Sequence, residues 1–524
     1  MLPGIKPFDT DLKELTAVQA SRKTTIFVPA NGLNSFSPTG NNIMLINLSG
    51  VDWIDPTQMN LEFDMTLSAT AGAYDPVAST YTGGVLGPNS VESFFNRLTV
   101  RVGGSQVEQI LNYNILETAL NQVLMTKTSV DTYAPSCYNL TNDLNDRFTP
   151  FSSTTGVFQK GGYNGRRFSV GLNGSGLFGS NPDYVPLGFL AAKNNVQIEI
   201  LLEQVDQLFQ VIAADGGAAI ALSGLTYTLS NVRLVVDYLE SPEVSSAWAN
   251  RLAAGEIIPY PISRWTTQQV SLPTGQAGTF NWNFSVSASD VTGVMFAFVA
   301  QANSSAVLAG TTSTFSSKTD TLCFPQNLSQ YFLSVGATNY PLNPAIITYS
   351  KDWVTTTGQG TLSSTSLGTY SAPFSYQEVL KMFHLPITYG TNLTTDRFER
   401  NRFPVLTQAA GTAGTPTRVL PPTDDDGSSC FLLCCNLDSD LMQENVAGTG
   451  VNAIVPSNLQ FRLQLIFSAP IVAYSAGTPG SVGTGVYGGP YTIYAFIKTR
   501  DNILISNDTV VVTSDLVDPA TLNA

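Results

Sequence analysis

The sequence predicts an all-β protein folded as two successive antiparallel sandwiches. Three observations predict it. Short alternating or apolar stretches recur between loops along 524 residues that carry 43 glycines and 29 prolines. Helical periodicity is confined to a few stretches. One order of elements (a strand, a glycine turn, then a helix) occurs twice, about 230 residues apart, the distance expected between two domains of similar build.

The first copy lies in Ser93–Thr118. Leu98, Val100 and Val102 alternate with Thr99, Arg101 and Gly103, as in a half-buried strand. Gly103-Gly104 breaks the pattern, and Gln106–Ile110 resumes extended. Ile110, Tyr113, Ile115, Leu116, Leu120, Val123 and Leu124 then recur at helical spacing, so Asn112–Met125 is expected as an amphipathic surface helix. In the second copy Leu328–Val335 is the strand, Gly336-Ala337-Thr338 the turn and Ser375–Phe383 the short helix.

Met1–Lys23 is polar, shows no strong core face and is expected as an N-terminal arm, residues 1–23. Strands are expected at Thr24–Pro29, Asn42–Leu48, Leu61–Leu67, Arg167–Gly171, Asn195–Glu203 and Leu225–Leu239, making a first domain over 24–240. Ser68–Asn89 and Thr126–Gly165 are expected as loops, the second long enough to be functional or interfacial. Ser241-Pro242-Glu243 carries a helix start, with Ser241 as N-cap and Pro242 in the first helical position, so 241–256 is expected as a linker helix.

The second domain, 257–524, is expected to hold strands at Ile262–Leu272, Thr279–Ser287, Val294–Ala300, Cys430–Cys435, Asn458–Phe467, Tyr491–Lys498 and Thr509–Thr513. Val294–Ala300 is apolar throughout, which predicts burial on both faces. The chain between Val335 and Phe383 is expected to be helical or irregular, and Asn303–Asp320 and Pro404–Ser429 to be loops.

Charged residues make up 12% of the chain, about half the usual share, and Ser, Thr, Asn, Gly and Gln replace them. Hydroxyls and amides are cheaper to desolvate than ions, so this surface suits a protein that packs against many neighbours. With 10% aromatics the chain is expected to fold. The net charge of −14 argues against a protein that grips phosphate backbones. Met1–Thr10 has no basic flank before an apolar stretch, so no signal peptide is read. No apolar run approaches the roughly 18–20 residues that span a bilayer. Five cysteines, an odd number, point to reduced thiols.

Gly174-Ser175-Gly176-Leu177-Phe178-Gly179 matches G-x-G-x-x-G, but the turn residues Ser180-Asn181-Pro182-Asp183 follow where a dinucleotide site needs a helix. Cys430, Cys434 and Cys435 lack C-x-x-C spacing and read as buried structural cysteines. His384 is the single histidine, which closes off His-based triads and His-rich metal sites; it reads as a helix-end residue. Asp424-Asp425-Asp426-Gly427 lacks the alternation of an EF-hand and reads as a solvated turn. Sequons at Asn47, Asn139, Asn173, Asn283, Asn303, Asn327, Asn392 and Asn507 are expected by chance in so Asn- and Ser-rich a chain. No residue is assigned to catalysis, a cofactor or a metal, and the protein is expected not to be an enzyme.

Phe95–Glu108 followed by Tyr113–Glu117 resembles the strand–Gly–helix passage of the first jelly roll in double jelly-roll major capsid proteins of double-stranded DNA viruses. Tyr184–Leu190 leading into Val196–Ile200 resembles the segment before their G strand. In the second half Cys430–Leu437, Asn458–Leu465 and Tyr491–Lys498 take the F, G and H positions. The resemblance runs from Thr24 to Thr513 and is nearest to the capsid proteins of polinton-like viruses and virophages.

The resemblance implies two tandem eight-stranded antiparallel jelly rolls with a few short helices and long loops. It implies a homotrimer whose six rolls form a pseudo-hexagonal capsomer that tiles an icosahedral shell in the virion. Partners would be further copies, minor capsid and penton proteins and, through Met1–Lys23, an internal membrane, with no sequence-specific nucleic-acid binding. Ser68–Asn89, Asn303–Asp320 and Pro404–Ser429 would be tower or inter-subunit loops. The rival reading is a β-sandwich surface protein that binds carbohydrate, such as an adhesin or fibre.

Overall fold

The structure, a computed structural model, describes residues 21–71, 83–125, 147–152, 156–179, 184–191, 195–213, 222–288, 290–300, 322, 324–350, 369–385, 398, 407–408, 418–419, 430–438, 460–471, 490–507 and 510–513. Residues 1–20 of the expected arm, the loop 303–320 and the run Asp424–Gly427 lie outside them. Ser21–Lys23, also expected in the arm, belong to the first strand.

In the first half, β1 (Ser21–Phe27), β2 (Ser35–Phe36), β3 (Ile43–Leu48) and β4 (Trp53–Ala71) come first. β5 (Gly83–Leu86), β6 (Phe95–Val102) and β7 (Ser105–Leu111) follow, then helix α1 (Tyr113–Leu124). After β8 (Phe148–Ser152), β9 (Val157–Phe158) and β10 (Arg166–Gly171) comes the short helix α2 (Leu187–Ala191). β11 (Val196–Leu202), β12 (Gln210–Ala213) and β13 (Leu222–Glu240) complete the half. Two sheets carry the core: a five-stranded one in the order β1-β13-β4-β10, with β2 also paired to β13, and a four-stranded one in the order β3-β11-β6-β7. Lettering the eight strands of these two orders B to I along the chain, the orders are B-I-D-G and C-H-E-F. The sheets meet through side chains such as Phe63 of β4, whose ring lies edge-on to Phe95 of β6 at 5.8 Å.

The second half repeats the plan. Its first strands are β14 (Ile258–Leu272), β15 (Gly278–Ser285), β16 (Val291–Ala300), β17 (Leu328–Val335) and β18 (Thr338–Ile346). The minor pairs β19 (Thr348–Ser350) with β20 (Thr369–Ser371), and β21 (Thr407–Gln408) with β22 (Arg418–Val419), flank helix α4 (Pro373–Met382). Then come β23 (Leu432–Asn436), β24 (Gln460–Phe467), β25 (Tyr491–Ile505) and β26 (Val510–Thr513), which pairs with β25. The sheets run β14-β25-β16-β23 and β15-β24-β17-β18, again B-I-D-G and C-H-E-F. The strand, turn and helix seen twice in the sequence are therefore strand E, the E-to-F turn and the helix of the F-to-G connection in each half.

Helix α3 (Pro242–Ala253) joins the halves. It is held to the first half by Trp248, which meets Trp53 edge-on at 5.0 Å and Phe189 at 5.5 Å. The Trp53 indole N–H donates to Ser245 Oγ at 3.1 Å. Gly255, at φ 88°, ends the helix: Glu256 N–H donates to Arg251 O and Gly255 N–H to Leu252 O, a Schellman closure. Ser241 and Pro242 take the expected N-cap and first helical positions, but the Ser241 hydroxyl makes no capping bond.

Four expectations need correction. Helix α1 is not a surface helix: every residue from Tyr113 to Val123 is buried, including Asn114, Glu117, Thr118, Asn121 and Gln122 of its polar side. The glycine loop after β10 covers Glu117, Ser93 and Glu203 meet Asn114, and Glu92 meets Asn121, which the helical period cannot reveal. The segment after Val335 is the strand β18 rather than helical or irregular chain. Its pairing jumps from Leu333 opposite Tyr340 to Tyr331 opposite Ala345, so Pro341–Pro344 bulge out and hide the alternation. Because β18 is the F strand, β23, β24 and β25 hold the G, H and I positions, one place later than the resemblance put them. Likewise Tyr184–Leu190 precedes the H strand β11, since Arg166–Gly171 is G.

Part of the expected loop chain in the first half is also strand. β5, from the D-to-E connection, and β8 and β9, from F-to-G, join β12 from H-to-I in a small sheet ordered β12-β5-β8-β9. Strands alternate in direction, so these three connections leave the sandwich at one end, where they pair with one another. The expectation for Val294–Ala300 is met: all ten residues of β16 are buried. Helix α4 lies against its outer face, where a Cβ on Gly293 would come 2.9 Å from Met382 Cε.

Candidate functional site: the seam between the halves and the free sheet edges

No catalytic constellation was expected, and the motifs singled out in the sequence take other roles. Cys430, Cys434 and Cys435 are buried and form no disulfide. Burial pushes Cys434 and Cys435 well above the ordinary thiol range, which leaves them unreactive. His384 sits just past α4 at φ 52°, a helix-end position. Among the described residues no group of three or more His, Cys, Asp or Glu is placed to hold a metal ion.

The amides of the Gly174–Gly179 motif do meet carboxyl groups, but they are the protein's own. The loop turns through Ser175 N–H to Leu172 O and Gly179 N–H to Ser175 O, both 2.9 Å. Its amides then point at two buried carboxylates. Gly174 N–H donates to Glu117 Oε2 of α1 at 2.6 Å. Gly176 N–H and the Ser175 hydroxyl donate to Oε1 and Oε2 of Glu108 on β7, at 2.8 and 2.7 Å. The glycines are required by space: a Cβ on Gly176 would lie 1.5 Å from Ser263 O, and one on Gly179 1.9 Å from Leu172 O.

Three buried glutamates gather here. Burial pushes Glu108 up to about 7, against its bonds from Gly176 and Ser175 and the charge of Arg264. Burial, and then the charge of Glu92, push Glu117 up to about 8. Glu92, which accepts from the Ser90 hydroxyl, is pushed up by burial to about 7. Shifted carboxyls often mark active sites. These are at most 2% exposed and face other protein groups, so no substrate reaches them. They serve the packing of α1, β7 and the glycine loop.

The same loop lies on the seam between the halves. β7 is the outer strand of its sheet, and β14 is the outer strand of the facing sheet of the second half. Arg264 of β14 donates through Nη1 to Val107 O at 3.0 Å and through Nε to Asp501 Oδ2 at 2.7 Å. Thr267 Oγ1 donates to Leu111 O at 2.9 Å. The seam is thus an F edge of one half against a B edge of the next. Nothing in the sequence links positions 107–111, 174–176 and 263–267; only the fold brings them together.

Among the described residues two equivalent edges have no such partner: β1, the B edge of the first half, and β18, the F edge of the second. Both expose large apolar side chains, Ile26 on β1 with Val28 just beyond it, and Leu342 and Ile346 on β18. Beside β1, the outer face of its sheet carries the chain's scarce charge in paired form. Arg22 meets Asp55 and Asp237, Lys23 meets Glu240, and Glu62 is shared by Arg167 and Arg233.

With this geometry in hand, comparison with solved structures is informative. A quasi-atomic model of the PBCV-1 virus capsid matches at TM-score 0.52 and 11% identity, over 95% of this chain and 97% of that one. The Sputnik virophage structure from cryo-EM matches at TM-score 0.53 and 12% identity, over 97% of this chain and 91% of that one. The fold is a double jelly roll. The B-I-D-G and C-H-E-F sheets of each half are the two walls of one roll, and the seam joins the rolls. PBCV-1 VP54 fitted into a Sputnik reconstruction matches the double jelly roll at TM-score 0.52 and 12% identity, over 95% and 97% of the two chains. No family model matches the sequence, and no curated protein matches it.

Proposed function

We propose that this chain is the major building block of an icosahedral virus shell, a non-enzymatic protein that trimerises into pseudo-hexagonal capsomers and resides in the virion. One observation carries the reading: two rolls with the same strand order are joined edge to edge in one chain, and 95% and 97% of the chain match the PBCV-1 capsid and the Sputnik virophage structures. Three such chains supply six like blocks, which suit a pseudo-hexagonal tile. The charge-poor surface favours the role, because many modest contacts multiplied by symmetry hold a shell together and few ions must be desolvated.

In this reading the 21–240 and 257–524 segments are the two rolls and 241–256 the connecting helix. The arm 1–20 reaches neighbouring capsomers, minor and penton proteins or a membrane beneath the shell. The D-to-E and F-to-G connections, which include Ser68–Asn89, Asn303–Asp320 and Pro404–Ser429, form the outward towers and inter-subunit loops. The test is the solution mass of the native chain by light scattering, with electron microscopy of the same sample. A stable trimer with a six-lobed outline supports the reading. A monomer under all salt conditions overturns it and turns attention to glycan binding.

A further inference from the structure

We propose that a proton on Glu108 locks the two rolls together at their seam, and that its loss loosens the contact between them. A mismatch of charge in an enclosed place carries this. Two carboxyl groups, Glu108 of the first roll and Asp501 of the second, lie beside one guanidinium, that of Arg264 on β14. Arg264 is committed to Asp501, whose side chain is fully buried, through Nε at 2.7 Å. Thr499 Oγ1 donates to the same carboxylate oxygen at 2.8 Å. Among the described residues Asp501 Oδ1 has no hydrogen-bond partner. Asp501 therefore depends on Arg264 for its balance of charge, and the group of three is neutral only while Glu108 holds a proton.

Glu108 is built into the contact itself. Its oxygens accept from the Gly176 amide at 2.8 Å and the Ser175 hydroxyl at 2.7 Å. Gly176 in turn lies against Ser263 O of the second roll. On the strand, the neighbouring Val107 gives its carbonyl to Arg264 at 3.0 Å. The rolls thus meet through backbone on two sides of one buried carboxyl.

The other groups around Glu108 bring no second cation to it. Helix α1 contributes Tyr113 and Glu117, with Glu92 of the turn before β6 beside Glu117. The glycine loop contributes the Ser175 hydroxyl and the amides of Gly176 and Leu177. Strand β6 sets Val100 opposite Glu108, and its Arg97 and Arg101 pair with Glu199 at 2.6 and 3.7 Å. Burial raises Glu108 to about 7 against its hydrogen bonds and the charge of Arg264, so the proton is held in mildly acid solution and lost in mildly alkaline solution. Once ionised, Glu108 leaves a net negative charge where little water reaches. It also competes with Asp501 for Arg264, the side chain that crosses to Val107. Parting the rolls admits water and relieves both. The latch requires only the seam, whatever the two rolls build.

The experiment is amide hydrogen exchange read by mass spectrometry on the unmodified full chain and on E108Q, at pH 5.5 and pH 8.5, with each rate divided by the intrinsic chemical rate at that pH. In the unmodified chain the corrected exchange over Ser105–Leu111, Leu172–Gly179 and Ser263–Thr267 is expected to rise about thirtyfold. That is the factor linkage gives for a carboxyl at about 7 in the closed seam and 4.5 in the open one. Exchange over β16, in the core of the second roll, is expected to stay level. E108Q is expected to be as protected at both pH values as the unmodified chain is at pH 5.5. A rise that persists in E108Q belongs to Glu92 or Glu117 and overturns the proposal. So does a rise confined to the first-roll segments while Ser263–Thr267 stays protected, or no rise at all. If E108Q fails to fold, the unmodified chain decides: a rise on both sides of the seam with its midpoint near pH 7 supports the latch, and any other pattern overturns it.

Discussion

The carbonyl oxygen of Ser263 fills the space in which a side chain on residue 176 would begin: a Cβ on Gly176 would lie 1.5 Å from it. Gly176 belongs to the first roll and Ser263 to the second, so this one missing atom sets how closely the rolls approach. The backbone amide next to it holds Glu108. A substitution here acts on the seam and on a buried carboxylate together.

G176A is therefore expected to destabilise the chain by about 3 kcal/mol or more, the upper end for overpacking a tight site. Neither contact atom is a flexible side-chain end, since the clash is with backbone. G104A is the comparison: Gly104, at φ 83°, has open space around its Cβ position, so only backbone strain of about 1 kcal/mol is expected. Urea unfolding of the two variants measures the difference. Equal costs would show that the rolls part easily at this point.

The buried glutamates give the stability a direction with pH. Their folded values are raised from 4.5 to about 7 for Glu92 and Glu108 and to about 8 for Glu117. The folded state thus binds more protons than the unfolded state between about pH 4.5 and 8, so stability falls as pH rises through that window. Groups facing the cluster are Tyr113 and Asn121 of α1, Ser90, Ser175 and the amides of the glycine loop, and Arg264 across the seam. Arg264 is the cation among them. E117Q keeps the shape and stays neutral. At pH 9 it is expected to raise the thermal midpoint by about 2–4 °C, the shift that roughly 1 kcal/mol gives in a large domain, and at pH 5 to leave it unchanged. A midpoint for E117Q that follows the parent at both pH values would sink the assignment.

The connecting helix is clamped by aromatic packing. Trp248 is buried between Trp53 and Phe189. W248A is expected to cost about 3–5 kcal/mol, the range for truncating a large buried aromatic. The lost packing should also show as faster amide exchange over Pro242–Ala253 than over β13. Uniform exchange in both segments would mean that the helix is held by something other than this stack.

Much of the fold was legible because sandwich strands write their period into the sequence. β11, with burial alternating at every residue, and β16, apolar throughout, are the clearest cases. β18 was not legible, because two prolines and a four-residue bulge erase alternation, and with it went the lettering of every later strand. The buried polar side of α1 was also hidden, since helical periodicity marks where apolar residues lie and not what covers the other face. The seam depends on residues more than 60 positions apart in the first roll and on a third segment in the second. The glycine motif has no helix behind it, and the groups its amides meet, the pair Glu108 and Glu117, carry no local sign.

The second roll has its own buried ion pair, and removing one partner tests how much it depends on it. Arg500 of β25 donates through Nη2 to Asp438 Oδ2 at 2.6 Å, with Asp290 3.9 Å away on the other side. Asp438 and Asp290 are almost fully enclosed. Such a pair repays its desolvation only while both partners are present, so breaking it leaves a buried charge without its match. R500M is therefore expected to lose about 3–5 kcal/mol, the range for removing one member of a buried pair. The triple variant R500M/D438L/D290L removes the orphaned carboxylates as well and should recover part of that loss. Urea unfolding of both variants gives the comparison. Recovery marks the loss as the cost of unmatched charge, whereas a triple variant as unstable as R500M would place the value of Arg500 in the packing of its stem against β23 and β16.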